Sequence, residues 1–351
     1  MKDNKKSDNQ THYMPIGMCM GISIGTAIGV ATDNLSIYMP IGLSIGMCIG
    51  PLLMRRTVRR QRVPLKMKKL NKKMVLIVSV LVILCLGIWT LWGNTALEVN
   101  EYKILSDKIP EAFSGFWIAQ VADLHNAEFG EDNEILIELL FQTDPDMIVI
   151  TGDLIDSRQT DIEIALGFAV KAVQIAPVYY VTGNHEARVS EYEQLKTGLT
   201  DLGVTVLENQ KVQITKDGES ITLMGIQDPS FHTDYLFGDA ESVSRRAITS
   251  LQNESDGFTV LLSHRPELFD LYVDTGVDLV FSGHAHGGQF RLPFVGGLVA
   301  PNQGFFPKYD AGQFIEENTT MIVSRGVGNS IIPLRINNPP ELVVVELMCQ
   351  N

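Results

Sequence analysis

The sequence has few cysteines and no arrangement that would pair them or use them to hold a metal. Only four occur in 351 residues; three lie inside apolar segments and one lies near the end: Cys19, Cys48, Cys85 and Cys349. No two are spaced as CxxC. These observations exclude a disulfide framework and a thiolate metal site.

The C-terminal part of the chain also lacks positive charge. Residues 1–92 hold 13 of the 28 Lys and Arg residues and 3 of the 41 Asp and Glu residues. Residues 93–351 therefore carry 15 basic and 38 acidic residues, a formal charge of −23. This balance excludes a basic footprint for nucleic acid, so any attraction for phosphate must come from bound metal.

Glycine, in contrast, is concentrated in one repeated segment. Residues 1–13 are polar, and residues 14–54 form two apolar halves in which glycine recurs at every fourth position: Gly17, Gly21, Gly25 and Gly29, then Gly42, Gly46 and Gly50. Glycines four residues apart share one helix face and allow close helix–helix contact. Each half has about the 20 residues needed to span a membrane. The segment resembles a glycine zipper and predicts a double membrane segment; a flexible leader is the alternative.

A second apolar run follows a basic segment. Residues 55–73 contain ten Lys or Arg and no acid, and residues 74–92 carry no charge. This pattern predicts a transmembrane helix at 74–92 in the cell membrane, with the basic linker in the cytoplasm and residues 97–351 on the extracytoplasmic side. A cleaved signal peptide is the alternative. The length of the run and the poor cleavage site at Gly93-Asn-Thr-Ala96 favour an uncleaved anchor.

Residues 97–351 have the pattern of a globular α/β domain. Apolar runs predict strands at 117–121, 147–150, 178–181, 259–262 and 277–281, further strands within 205–226 around a hairpin turn at 216–219, and a last strand at 342–347. Helical periodicity fits 134–142, 162–175 and 191–202, the last behind a capping box of Ser190 and Glu193. Alternating strands and helices predict a layered domain with helices on both faces.

Five of these predicted strands end in residues that can bind metal. The residues are Asp123 and His125, Asp153 and Asp156, Asn184 and His185, His264, and finally His284 and His286. Five of the seven histidines are among them. Because sites in α/β sheets form beyond the carboxyl ends of strands, we expect these loops to converge.

Mixed carboxylate and imidazole ligands suit manganese, iron or zinc. The set is too large for one ion, whereas two ions about 4 Å apart that share a carboxylate need roughly this number. Two divalent ions are suited to phosphate ester hydrolysis, because they bind phosphoryl oxygens and activate water.

The blocks D-x-H, GD-xx-D, GNH-E, H and GHxH, in this order, resemble the calcineurin-like metallophosphoesterases over residues 100–349. The resemblance implies a sandwich of two mixed sheets flanked by helices. It also implies one metal bound by Asp123, His125, Asp153 and His286, and a second bound by Asp153, Asn184, His264 and His284. By the same resemblance His185 protonates the leaving group, and Asp156 orients a ligand or a turn instead of binding metal.

Two positions depart from the pattern of many relatives. Asn126 follows the first histidine where glycine is common, and Arg265 follows His264 in a block without the usual glycine. We expect Asn126 to bind substrate. Arg265 is either a phosphate clamp or part of an ordinary ion pair.

Three later stretches resemble a bacterial membrane-associated branch: Gly287-Gly-Gln289, Ala300-Pro-Asn-Gln-Gly304 and Ser324-Arg-Gly-Val-Gly-Asn329. That branch is similar to phosphodiesterases and UDP-2,3-diacylglucosamine pyrophosphatases. The resemblance predicts a membrane-anchored hydrolase of phosphodiester or pyrophosphate bonds in lipid- or nucleotide-linked substrates, with no nucleic-acid binding. A phosphomonoesterase is the competing enzyme. A non-catalytic membrane scaffold with a metal-binding domain is the competitor of another class.

Overall fold

The computed structural model describes Ser23 and residues 72–350, except 233–238, 253–256 and 330–333. The predicted polar tail, the glycine-rich repeat and nearly all of the basic linker lie outside the described residues. From Ile77 onward the chain forms one compact unit.

The predicted transmembrane segment is helical. Helix α1 spans Lys72–Thr95, and its 24 residues extend about 36 Å. Within the described residues it is the one helix long and apolar enough to cross a membrane, with a mean hydropathy of 2.4 over Leu76–Thr95. Most of its apolar side chains are exposed, including Trp89 and Trp92 near its end. That surface suits lipid, and tryptophan is common at the depth of the headgroups.

Two six-stranded sheets form the centre of the described domain. In chain order the strands are β1 (Glu98–Ser106), β2 (Phe116–Val121), β3 (Met147–Thr151), β4 (Val178–Val181), β5 (Thr205–Val206), β6 (Gln210–Lys216), β7 (Glu219–Gly225), β8 (Thr259–Leu262), β9 (Leu279–Ser282), β10 (Arg291–Leu292), β11 (Gly296–Gly297), β12 (Val299–Ala300), β13 (Gly304–Phe305), β14 (Gly312–Glu316), β15 (Thr319–Val323) and β16 (Glu341–Cys349). The first sheet has the order β1-β16-β2-β3-β4-β5, and the second β14-β15-β9-β8-β7-β6. Strands β10 to β13 form two small hairpins.

Helices cover the outer faces of both sheets. They are α2 (Glu134–Gln142), α3 (Ile162–Ala172), α4 (Tyr192–Asp201), α5 (Ala240–Gln252) and α6 (Phe269–Asp274). The inner faces meet through residues such as Ile118 and Phe281. On the outer faces Ile148 packs with α2 to α4, and Val280 with α5 and α6. Successive side chains of a strand point to opposite faces, so strands buried on both sides are apolar throughout.

The predicted fold class, two mixed sheets flanked by helices, is confirmed. The hairpin at 216–219 is also present: Asp217 and Gly218 both have positive φ between β6 and β7, as a type I′ turn requires. The predicted capping box is wrong. Helix α4 begins one residue later than the box requires, with Glu191 at the N-cap position and no side-chain cap, while the Ser190 hydroxyl donates to the Glu191 carboxylate.

A buried amide joins the two sheets near the ends of their central strands. Gln120 Nε2 donates to Thr151 Oγ1 of β3 and to the Ser282 carbonyl of β9, each at 2.9 Å. The neighbouring strands β2, β3 and β4 run parallel in the first sheet, as do β7, β8, β9 and β15 in the second. The loops that follow β2, β3, β4, β8 and β9 therefore meet along one edge.

Candidate metal centre

The residues predicted at five strand ends come together in one buried site. Loops after β2, β3 and β4 come from the first sheet, and loops after β8 and β9 from the second. All the predicted ligands are buried: Asp123, His125, Asp153, Asn184, His264, His284 and His286. His185 and Asp156 are buried beside them.

One group of four side chains surrounds a common point. Asp123, His125, Asp153 and His286 each offer an atom, and these atoms lie within 4.8 Å of one another. His125 Nε2 is 3.5 Å from Asp153 Oδ2 and 3.2 Å from His286 Nε2. His286 Nε2 is 3.5 Å from Asp123 Oδ1. The arrangement has the ligand types and spacing of a divalent metal site.

A second group shares Asp153 with the first. Its members are Asp153, His264 and His284. His264 Nε2 lies 3.2 Å from Asp153 Oδ2 and 3.1 Å from His284 Nδ1. Asn184 adjoins this group, because the next backbone N–H, that of His185, donates to Asp153 Oδ1 at 2.8 Å. Asn184 Oδ1 is buried and accepts no hydrogen bond from any described residue, which leaves it available to a cation.

The charges of the site also fit a cation. Burial raises the pKa of Asp123 to about 7 and lowers that of His125 to about 3. Burial would raise the pKa of Asp153 as well, but His264 and His125 outweigh it and hold that pKa well below its usual value. Burial would lower the pKa of His264, yet Asp153 raises it to about 10. A divalent cation bound beside Asp153 would replace the proton that this carboxylate favours on His264, because metal ligands bind in their deprotonated form.

The backbone at the site lies in the left-handed region, which residues other than glycine seldom adopt. Five predicted ligands have φ between 47° and 66°: Asp123, His125, Asp153, His284 and His286. Such conformations cost energy and cluster at functional sites. The glycines beside them leave space that a side chain would fill. A Cβ on Gly183 would lie 2.2 Å from Asp153 Oδ1.

Glu186 holds two of the ligand loops together, a role that sequence reasoning missed. Its carboxylate is fully buried and accepts hydrogen bonds from four backbone N–H groups, those of Asp153, Leu154, Ile155 and Gly183, at 2.7–3.3 Å. It thereby ties the loop after β3 to the loop after β4. The available signal was an acidic residue directly after the Asn-His pair.

His185 lies against the first ligand group. Its ring packs edge-on against His125, with centroids 4.4 Å apart. The Ser157 backbone N–H donates to His185 Nδ1 at 3.0 Å, so in the neutral ring the proton is on Nε2. Burial lowers the pKa of His185. The neutral ring can therefore donate a hydrogen bond from its Nε2–H group.

Asp156 lies between His125 and His185. Its carboxylate is 3.9 Å from Nδ1 of each ring and forms an ion pair with Arg158 at 2.7 Å. His125, Asp156 and His185 could also group around a cation. However, the Ser157 N–H already occupies Nδ1 of His185, and Arg158 occupies the carboxylate. This geometry favours an orienting role for Asp156.

The two residues that depart from the pattern have different surroundings. The Arg265 guanidinium is buried and bonds Asp228 through Nε at 2.5 Å and Nη2 at 2.9 Å. Its Nη1 lies 3.1 Å from His284 Nε2. Of the two roles expected for Arg265, this geometry favours the ion pair, which orients His284, and not the phosphate clamp. Asn126 Nδ2 donates to the Gln159 carbonyl at 2.6 Å, and its binding of substrate stays a prediction.

The end of α1 is connected to the loop that carries Asp123. Asn94 Nδ2 donates to the Arg335 carbonyl at 2.9 Å, and the Arg335 N–H donates to Asn94 Oδ1 at 2.7 Å. The buried Arg335 guanidinium donates to the carbonyls of Gly328 and Arg325. The Gly328 N–H in turn donates to the Asp123 carbonyl at 2.7 Å. Nothing in the sequence pattern indicated this connection.

Comparisons with known proteins agree with this site. Residues 116–288 match the calcineurin-like phosphoesterase family, and residues 7–56 match the glycine zipper membrane protein family. The uncharacterized metallophosphoesterase YkuE of Bacillus subtilis is 31% identical over 260 residues, 73% of this chain and 87% of that protein. The phosphodiesterase YaeI of Escherichia coli is 29% identical, covering 66% and 82%.

Other relatives carry membrane segments. A transmembrane protein with metallophosphoesterase domain from Danio rerio is 28% identical over 71% of this chain and 57% of that protein. Together with the glycine zipper match, it indicates membrane association.

Among solved structures, the protein TT1561 of Thermus thermophilus is 14% identical, with a TM-score of 0.43 over 61% of this chain and 91% of that one.

We expect Glu186→Gln to loosen the metal centre. The amide nitrogen would face two backbone N–H donors that now share one carboxylate oxygen, and each unmet buried donor costs about 1–3 kcal/mol. The variant should lose bound metal, measured by mass spectrometry, and unfold at lower denaturant concentration. Glu193→Gln, on the exposed first turn of α4, is the matched control. Equal metal content and stability in both variants would contradict the role of Glu186.

Proposed function

Because this chain belongs to the calcineurin-like phosphoesterase family, a hydrolase family acting on phosphoester bonds, we propose that it is a membrane-anchored phosphodiesterase with two metal ions. The observation that carries the proposal is the position of Asp153, whose carboxylate belongs to both ligand groups. A carboxylate between two groups of histidines suits two ions about 4 Å apart.

The proposed ligands follow the two groups. Asp123, His125, Asp153 and His286 would hold one divalent ion; Asp153, Asn184, His264 and His284 would hold the other. Manganese, iron and zinc all suit this donor set. Two ions in this site would bind phosphoryl oxygens, acidify a water for attack and offset charge that develops during the displacement.

The chain's own residues would complete the chemistry. The Ser157 N–H orients the His185 ring with Nε2 as its donor atom. To protonate the departing oxygen, the ring would first take up a second proton at Nδ1, beside Ser157 Oγ at 3.1 Å, and loss of the Nε2 proton would then return it to the neutral form. Arg265 would hold the His284 ring in place through the contact of its Nη1 with His284 Nε2. Glu186 fixes the loop geometry, and the glycines let the backbone approach the ions.

A phosphodiester or pyrophosphate is the proposed bond. The named activity of the relative YaeI, a phosphodiesterase, supports the diester. A phosphomonoesterase remains the second candidate. The comparison that separates them is the rate on bis-p-nitrophenyl phosphate against p-nitrophenyl phosphate. A non-catalytic scaffold would hydrolyse neither.

The proposed arrangement in the membrane follows the charge pattern. Residues 14–54 would cross twice, 55–73 would form a cytoplasmic linker, 74–92 would cross once more, and 97–351 would be extracytoplasmic. The match of residues 7–56 to a membrane family and the exposed apolar surface of α1 support it.

We predict that Asp153→Asn loses more activity and more metal than Asp156→Asn. Asp153 faces both ligand groups, whereas Asp156 is paired with Arg158. Rates on bis-p-nitrophenyl phosphate and metal content by mass spectrometry, both on the manganese-loaded full chain, provide the check. Equal, mild losses in both variants would remove Asp153 from the centre of the proposal.

We predict that His185→Asn keeps its metals and loses about 10²–10⁴-fold in rate on alkyl phosphodiesters. The loss on p-nitrophenyl esters should be far smaller, because p-nitrophenolate leaves without a proton. Rates on both substrates, with metal content measured in parallel, test this. Equal slowing on both would mean that His185 positions phosphate or water instead.

We predict that external protease removes residues 97–351 from intact cells that lack a wall. The positive charge of the basic linker, residues 55–73, would keep the linker in the cytoplasm, which places the other end of α1 outside. Immunoblotting against the C-terminal end provides the measurement, with a cytoplasmic protein as the control for intact cells. Digestion only after lysis would reverse the assigned topology.

A further inference from the structure

The surface next to the end of α1 has an inverted pattern of polarity. In residues 334–336 the apolar side chains of Leu334 and Ile336 are exposed, while the arginine between them, Arg335, is 1% exposed. A strand on a water-facing surface has the opposite pattern, with apolar residues inside and charged residues outside. This segment therefore has the polarity expected of a surface that faces lipid.

The exposed apolar residues extend from this segment onto the two small hairpins. We name the set the apolar rim; it comprises Leu292, Phe294, Val295, Phe305, Phe306, Leu334 and Ile336. Phe294 is fully exposed, and Phe306 is 61% exposed. Both have positive φ, which is rare for bulky residues. Large exposed apolar patches mark sites of contact with a partner or a membrane.

Backbone hydrogen bonds make the rim continuous. Ile336 bridges Phe290, and its carbonyl accepts from the Arg291 N–H at 3.0 Å. The Leu298 N–H donates to the Phe290 carbonyl at 2.8 Å. The Phe306 N–H donates to the Leu298 carbonyl at 2.9 Å. The three rim segments are therefore parts of one surface.

The rim lies at the level where α1 would leave the membrane. Asn94 bonds the backbone of Arg335 in both directions and lies two residues beyond Trp92, about 3 Å along the helix. Trp89 and Trp92 are exposed, as expected of residues at the membrane interface. Leu334 and Ile336 flank Arg335, so this part of the rim lies beside the end of α1.

The rim is also next to the metal centre. The Leu298 N–H donates to the Gly288 carbonyl at 3.1 Å, two residues after His286. Asn338 Nδ2 donates to the His286 carbonyl at 2.8 Å and to the Gln289 carbonyl at 3.2 Å. The same backbone thus carries a metal-binding histidine at one end and exposed phenylalanines at the other.

We propose that the apolar rim inserts into the lipid bilayer beside α1 and that the metal centre acts on a phosphoester carried by a lipid. This rests on the proposed phosphoesterase function and adds the class of substrate. A lipid headgroup would reach the metal centre while its acyl chains stay in the bilayer. The formal charge of −23 on residues 93–351 opposes attraction to anionic lipid, so apolar contact drives the insertion.

The first test measures insertion without relying on catalysis. The full chain, with its four cysteines replaced by alanine, carries Phe294→Cys labelled with an environment-sensitive fluorophore and is reconstituted in phosphatidylcholine nanodiscs. We expect the fluorescence emission to be blue-shifted. We also expect it to be quenched by lipids that carry a nitroxide on the acyl chain. Ile315→Cys, an exposed site on β14, is the control and should report water. A water-exposed label at position 294 would overturn the proposal and point to a protein partner.

The second test measures substrate class. The double variant Phe294→Ser, Phe306→Ser in nanodiscs should lose at least about tenfold in rate on a phospholipid bearing a p-nitrophenyl phosphodiester, because two exposed aromatic side chains that would enter the lipid are lost. It should stay within about twofold on soluble bis-p-nitrophenyl phosphate. Leu105→Ser with Ile315→Ser, both exposed and on strands β1 and β14 outside the rim, is the control.

The outcomes separate the two proposals. Equal loss on both substrates, or no loss on the lipid, would overturn the role of the rim while leaving the phosphoesterase function standing. An unmodified protein that hydrolyses neither substrate would overturn the proposed function, and the fluorophore would still report whether the rim inserts.

Discussion

The Asp153 carboxylate has to face two sets of imidazoles at once, and the surrounding structure depends on that requirement. Its backbone is left-handed, and the Glu186 carboxylate accepts its N–H group to hold it there. Gly183 has to lack a side chain because the carboxylate occupies that space. Asp153 Oδ2 lies 3.2 Å from His264 Nε2, and this carboxylate raises the pKa of the imidazole.

The sequence predicted much of the fold because burial constrains it. Strands β2, β3, β4, β8 and β9 are covered on both sides, so their sequences are mostly apolar and end abruptly in polar residues; Gln120 in β2 is a buried exception that bonds across the two sheets. Strands β1, β14 and β15 were not predicted. In β1 the alternation fails at Asn100 and Glu101, because the strand lies at the edge of its sheet and alternates only partly between core and solvent.

The sequence also predicted which residues would meet, but it left the roles of their neighbours open. The residue types at the strand ends can be read directly from the sequence. An ion pair between residues 37 positions apart, such as Arg265 with Asp228, depends on distances in the folded chain that sequence spacing does not encode. The same applies to Glu186, whose partners are backbone groups. The capping box of Ser190 failed for a local reason: the helix begins after Glu191, so Ser190 precedes the N-cap position and its side chain caps no backbone N–H.

The two hydrogen bonds between Asn94 and Arg335 make the end of the helix part of the folded enzyme. A form of the chain that begins at residue 97 would lack Asn94. The segment around Arg335 would then lose two hydrogen bonds, and with them one support of the Gly328 loop that contacts the Asp123 backbone. Truncation at this point would therefore loosen a loop of the candidate metal centre.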